Sequence, residues 1–137
     1  KNGAAHEAIF RDALFTYEMI NQFSEDALKT IIPKHEGKRK GIFCSSDAIA
    51  NSMLNQLFRK HGCLPDEFRI VGFDDSPVAK EAVLPMSSVG QQIDVMVDEA
   101  MRLLDRQIRE RKENPSYKPS PEHSIVAPIL VERETTK

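Results

Sequence analysis

Two adjacent carboxylates, Asp74 and Asp75, arrive without a break after an apolar run: Arg69-Ile70-Val71-Gly72-Phe73-Asp74-Asp75. A short apolar run between turn signals reads as a buried strand of a parallel sheet. Carboxylates at the carboxyl end of such a strand lie in the crevice where open α/β sheets bind ligands. An ionised carboxylate only accepts hydrogen bonds, so Asp74 suits a ligand rich in O–H or N–H donors. The competing reading is an Asp-Asp turn whose side chains cap the next helix. On spacing alone both readings stand. Asp75 is assigned the capping role, for a helix that begins near Pro77.

The elements that must hold these groups alternate along the chain. Ala4–Leu14 reads as a helix with Ala5, Ile9, Phe10, Ala13 and Leu14 on one side, and Phe15–Ile20 as a short strand. Ser24 is a good N-cap, with Glu25 and Asp26 in the first turn, for a helix carrying Ala27, Leu28, Ile31 and Ile32 and ended by Pro33. Gly41–Cys44 is a buried strand. Asp47 or Ser46 then caps a helix reaching about Lys60, and Asp47 is the better cap. Its apolar residues Ile49, Ala50, Met53, Leu54, Leu57 and Phe58 keep amphipathic spacing, and Gly62 closes it. After Asp75 come a short helix from Pro77 to about Val83 and a strand at Ser87–Gly90. Ile93–Arg111 is the longest helix, with one stripe of Ile93, Met96, Val97, Ala100, Leu103, Leu104 and Ile108. Pro115, Pro119 and Pro121 make Glu113–Glu122 a loop, and Pro128 inside Ser124–Val131 marks an edge strand or a break. The alternation gives an α/β fold, a mainly parallel sheet flanked by helices. Strands Gly41–Cys44 and Arg69–Phe73, joined by helix 47–60, should form a right-handed parallel βαβ unit.

Bulk properties narrow the function. A chain of 137 residues is one domain's worth, and its 40% hydrophobic and 29% charged residues fit a globular class. The net charge of -2 argues against nucleic-acid binding by this segment, because phosphate contacts need clustered cations. The one basic cluster, Lys34, His35, Lys38, Arg39 and Lys40, reads as a solvated loop before a strand. Two unpatterned cysteines, Cys44 and Cys63, point to a reducing compartment. No apolar run has transmembrane length, and no metal spacing appears. No G-x-S-x-G, P-loop, H-E-x-x-H or Cys-His pairing is present, so no enzyme and no cofactor is expected.

Four segments in register then point to a family. They are Gly41-Ile42-Phe43-Cys44-Ser45-Ser46-Asp47-Ala48-Ile49-Ala50, the Gly72-Phe73-Asp74-Asp75 box, Pro85-Met86-Ser87-Ser88-Val89-Gly90-Gln91-Gln92, and the closing Leu130-Val131-Glu132-Arg133-Glu134-Thr135-Thr136. Together they resemble the sensor domain of the lactose/galactose-repressor (LacI/GalR) family, from about Phe23 to the end. The resemblance implies the carboxy-terminal lobe of a periplasmic-binding-protein-like type I sensor spanning residues 1–137. A DNA-binding module and the amino-terminal lobe are not visible, and the chain, which begins without Met, is expected to be a fragment. It implies a small polar effector, a sugar, bound against Asp74. Gln91 matches a polar residue at the crossover between lobes. Ser46 stands where many members carry a ligand-binding Asn and keeps only a hydroxyl. Phe23 falls where members carry an aromatic that stacks on the ligand. The helix Arg that often grips effector would align near His6, a departure that disfavours a carboxylate or phosphate effector. The resemblance also implies a cytoplasmic homodimer formed through helix 47–60 and segment 77–84, with Ala50, Met53, Leu54 and Leu57 supplying apolar area. Operator DNA would be bound only through the separate module, and no membrane is involved. Because the helix Ile93–Arg111 would pack on the missing lobe, its stripe should be left exposed.

Two other classes compete. An extracytoplasmic sugar-binding protein of a transporter shares the fold, but the Gly-Phe-Asp-Asp box and the Arg133-x-Thr135-Thr136 ending favour the regulator. A phospho-receiver domain also uses strand-end carboxylates. It needs its acidic pair before the phosphoacceptor strand and a late strand-end Lys, and neither is found here.

Overall fold

Two apolar runs and the segment Ser87–Gly90 become the three parallel strands on which everything else is hung. The computed structural model describes residues 8, 9 and 16–137. In chain order the elements are α1 (Tyr17–Lys34), β1 (Lys40–Phe43), α2 (Asp47–His61), β2 (Phe68–Phe73), α3 (Pro77–Glu81), β3 (Ser87–Gly90), α4 (Ile93–Glu113) and β4 (Ile129–Val131), then a 3-10 turn at Glu134–Thr136. The sheet order is β1-β2-β3-β4. β1 pairs parallel with β2, with Lys40 opposite Phe68, and β2 pairs parallel with β3, with Val71 opposite Ser87. β4 closes the far edge antiparallel to β3, with Leu130 opposite Val89. The expected βαβ unit is therefore present. Pro128 lies just before β4, so the strand begins where the missing N–H no longer interrupts the ladder.

The core lies between the sheet and the α1–α2 layer. Ala50, Met53, Leu54 and Leu57 of α2, Ala27 and Leu28 of α1, and Phe68 and Ile70 of β2 are buried together. Each Leu or Ile removed from water contributes about 1.5–3 kcal/mol. This burial corrects one expectation. The α2 residues assigned to a subunit interface are used up inside the chain, because their three-four spacing faces the sheet.

Local chemistry explains three further departures. Tyr17–Ile20 is helix, not strand: Thr16 Oγ1 accepts from Met19 N at 3.2 Å and starts α1 well before Ser24. Ser24 is consequently a fully buried residue inside α1 rather than its cap. Pro33 lies in the last turn of α1, which ends at Lys34. Gly62, at φ 76°, does close α2 through its N–H to Phe58 O. The proposed helix Ala4–Leu14 and His6 fall outside the described residues, apart from Ala8 and Ile9.

The longest helix is the least packed. Among the described residues, α4 contributes none to the buried set, and Ile93, Met96, Val97, Met101, Leu104 and Ile108 are exposed. The chain from Asn114 returns beside it. Arg106 pairs with Glu122, and Gln92 Nε2 donates to Ala127 O at 2.5 Å. Helix and return segment together make an arm that leaves the sheet after β3 and rejoins it at β4.

Candidate functional site

Parallel pairing puts the carboxyl ends of β1, β2 and β3 on one edge. β1 delivers Cys44-Ser45-Ser46 there, β2 delivers Asp74-Asp75, and β3 delivers Gln91. Asp74 and Asp75 both adopt positive φ, 99° and 48°. Such a conformation costs a non-glycine residue on the order of 1–3 kcal/mol and persists only where the surroundings over-determine it. They do so here. Asp74 N donates to Val89 O at 2.9 Å, and Asp75 N donates to Ser88 Oγ at 3.0 Å. The Asp75 carboxylate lies 2.6 Å from the Arg133 guanidinium, an ion pair out of line for a hydrogen bond, with Lys80 farther off at 3.9 Å.

Beneath this turn sits Asp47, at the start of α2 and almost fully buried. Its Oδ1 accepts from Ser88 Oγ at 2.6 Å, and its Oδ2 accepts from Ser76 N at 2.7 Å and Ser76 Oγ at 2.8 Å. The first turn of a helix favours a negative charge, and hydrogen bonds to both oxygens offset its desolvation. Gly72 makes the approach possible, since a Cβ there would fall 2.2 Å from Asp47 Oδ1. One carboxylate thereby ties the beginning of α2, the loop before α3 and strand β3 into a rigid seat for Asp74.

The cap assignments change accordingly. Ser46, not Asp47, caps α2, its Oγ accepting from Ile49 N at 3.3 Å. Asp75 does not cap α3. Ser76 holds that position without a side-chain cap bond, because its hydroxyl is turned to Asp47. Asp75 is instead drawn to Arg133, whose Nη1 also donates to Met86 O at 2.8 Å. The carboxy-terminal turn is fastened by Thr135, which donates to Ile70 O at 2.6 Å and accepts from Ser87 N at 2.9 Å. The spacing of Ser76, Ser88 and Arg133 carries no sequence signal for these partnerships, which span up to about half the chain.

The residues singled out from sequence divide into two groups. Asp74 is exposed at the strand ends, and Gln91 Nε2 donates to its Oδ1 at 2.6 Å. Ser46 stands at the neighbouring strand end with its hydroxyl engaged in the α2 cap. Phe23 is set apart: it is half-buried in α1 and packs against the core. The aromatic rings at the strand ends are Phe43 and Phe73, the last residues of β1 and β2, edge-to-face with centroids 6.4 Å apart. The apolar runs that contain them marked both only as strand residues.

Cys44, next to this edge, is held as a thiol. Burial, then the negative charge of Asp47, push its pKa up to about 12. It packs with its Sγ 3.9 Å from Met53 Sδ. A thiol so held is a small hydrophobe rather than a nucleophile. Among the described residues no His/Cys/Asp/Glu group has metal-site geometry.

A mixed, mostly parallel sheet flanked by helices is an architecture of the periplasmic-binding-protein type. The chain matches the periplasmic binding protein-like domain over residues 3–136 and belongs to that family. Within it, relatives and structural neighbours place the chain with the effector-binding lobes of LacI/GalR-type regulators. The ribose operon repressor of Halalkalibacterium halodurans is 35% identical over 97 residues, covering 71% of this chain and 28% of the repressor. The regulator CelR of Thermobifida fusca is 38% identical over 63 residues, 46% of this chain and 18% of CelR. A solved CelR–cellobiose complex superposes with a TM-score of 0.68 and 28% identity over 88% of this chain and 34% of that one. A LacI-type regulator from Bifidobacterium animalis subsp. lactis gives a TM-score of 0.68 and 25% identity over 91% of this chain and 41% of the other. The chain thus spans 18–28% of the length of these two relatives and 34–41% of the two solved chains.

Proposed function

We propose that this chain is the effector-binding and dimerisation part of a cytoplasmic LacI/GalR-type transcriptional regulator. It takes a small polyhydroxylated ligand, a sugar, at Asp74 and controls DNA binding by a separate domain. The observation that carries the reading is Asp74 itself, an exposed acceptor held in a strained backbone by hydrogen bonds from its own N–H and that of Asp75 to β3, at the carboxyl edge of the sheet. Strain retained at a surface carboxylate fits a functional site better than a turn. Gln91 and Ser46 flank it as polar wall residues, whereas Phe23 packs against the core. The neighbour solved with cellobiose supports the ligand class. Calorimetry on the intact protein with cellobiose and with ribose tests it. Asp74→Asn should weaken binding about tenfold, the worth of one hydrogen bond to a charged acceptor. Unchanged affinity would remove Asp74 from the site.

Dimerisation is assigned to the outer flank of α2 together with α3. Tyr17, Asn21, Ala48, Asn51, Asn55 and Val78 line a shallow, largely polar concavity there. A two-fold pairing through it would match a palindromic operator. Asn55→Asp places like charges across such an axis. Sedimentation should show dissociation of the dimer, and a monomer in both wild type and variant would refute the assignment.

A further inference from the structure

The two partners of the Asp74–Gln91 hydrogen bond are held very differently. Asp74 is fixed from below: its N–H is bonded to Val89 O, and the next residue is bonded to Ser88 and paired with Arg133. Gln91 follows the last residue of β3 and precedes Gln92, which adopts φ 52° and ψ 54° as it turns the chain into α4. From there the arm begins, with no buried residue of its own among the described residues. The two chain passages between sheet and arm are tied to each other at the same point, because the Gln92 amide donates to Ala127 O, close before β4. A contact made by Gln91 therefore bears on both passages at once, and the Asp74 carboxylate reaches them through Gln91.

We propose that Gln91 is a built-in occupant of the ligand site, its amide holding Asp74 Oδ1 until a ligand hydroxyl takes that oxygen and frees the strand exit that aims the α4 arm. The proposal rests on the reading of Asp74 as the ligand's acceptor and adds how occupancy reaches the rest of the molecule. The chemistry is an exchange of like for like: a neutral N–H donor on the chain gives way to a neutral O–H donor on the ligand, with the charge of Asp74 conserved. A cationic ligand is not required, and an anionic one would be repelled by Asp74 and Asp75. A ligand can drive such a change only by its differential affinity for the two arrangements, and competition for Oδ1 supplies that difference.

The test has a ligand-free arm and a ligand arm, both on the full chain. Spin labels on the exposed Cys63 and on Asp98→Cys in α4 report the distance between sheet layer and arm, while the buried Cys44 stays unlabelled. Gln91→Glu keeps the side chain's size but replaces the donor with a charge that repels Asp74, and Gln91→Leu removes the donor. Both variants should broaden or shift the wild-type distance distribution, and an unchanged distribution in both overturns the latch. Circular dichroism confirms that each variant is folded. In the ligand arm, Gln91→Leu should bind cellobiose or ribose about three- to tenfold more tightly than wild type, because no amide has to be displaced. Weaker binding by Gln91→Leu overturns the competition. Failure of wild type to bind either sugar counts against the sugar reading, whereas the distance measurement still decides whether Gln91 holds the arm.

Discussion

The strand-end turn around Asp74 and the helix α4 are opposite solutions to the same problem of holding polar and apolar groups in place. The turn is short, strained and held by polar partners: Asp47, Ser88 and Arg133 converge on it from three other parts of the chain. The helix is the longest element, has the more regular sequence pattern, and is buried nowhere among the described residues. Regular amphipathic spacing tells which face of a helix is apolar and says nothing about what covers it. Buried polar groups, by contrast, must find partners wherever the fold puts them, so a polar cluster fixes tertiary geometry more tightly than an apolar stripe does.

The sharpest way to break the contrast is Gly72→Ala. The new methyl would meet Asp47 Oδ1, so the carboxylate must leave Ser88 and Ser76 or the strand must shift. Overpacking together with buried groups left unsatisfied should lower stability by about 3 kcal/mol or more in urea denaturation. A loss below about 1 kcal/mol would mean that the Asp47 seat is soft.

A second, intermediate effect follows from Cys44, which shares the burial of that seat. Its thiol pKa is raised from 9.0 to about 12 in the folded chain. The folded state therefore holds a proton that the unfolded state releases. The stabilisation is complete below about pH 9 and is lost progressively as pH rises towards 12. Denaturation curves at pH 8 and pH 10.5 should show a fall in wild type that is smaller in Cys44→Ala, and equal falls would remove the thiol as a cause.

The smallest effect belongs to the arm. Met101, 60% exposed on α4, should tolerate Met101→Gln within about 0.5 kcal/mol in the isolated chain. A loss comparable to that of Gly72→Ala would show that α4 is covered in solution, and the contrast between the two regions would fail.

Much of the layout was legible in the residues. β2 begins and ends within a residue or so of its apolar run, β3 occupies the expected Ser87–Gly90, α2 starts at the Ser46-Asp47 signal and closes at Gly62, and Asp74 stands where the strand-end argument put it. Those features are local: a buried parallel strand needs continuous apolar residues, a helix end needs a cap, and neither depends on distant chain. The start of α1 was misplaced because Ser24 and Thr16 are both acceptable caps, and only packing on α2, with Asn21 accepting from Ser52 at 2.6 Å, favours the earlier one. Phe23 was assigned to the ligand wall by the family resemblance, and in the longer α1 it packs against the core.

The sequence by itself determined the α/β class, the strand that carries Asp74 and the amphipathic faces, because burial and capping act over a few residues. Tertiary structure alone decided that Asp47 is a seat rather than a cap, that Asp75 answers Arg133 rather than α3, and that Gln91 occupies Asp74. Each of those choices is a competition among polar groups of equal local merit. It is settled by which partners the parallel sheet brings to one edge, and that edge exists only once β1, β2 and β3 are paired.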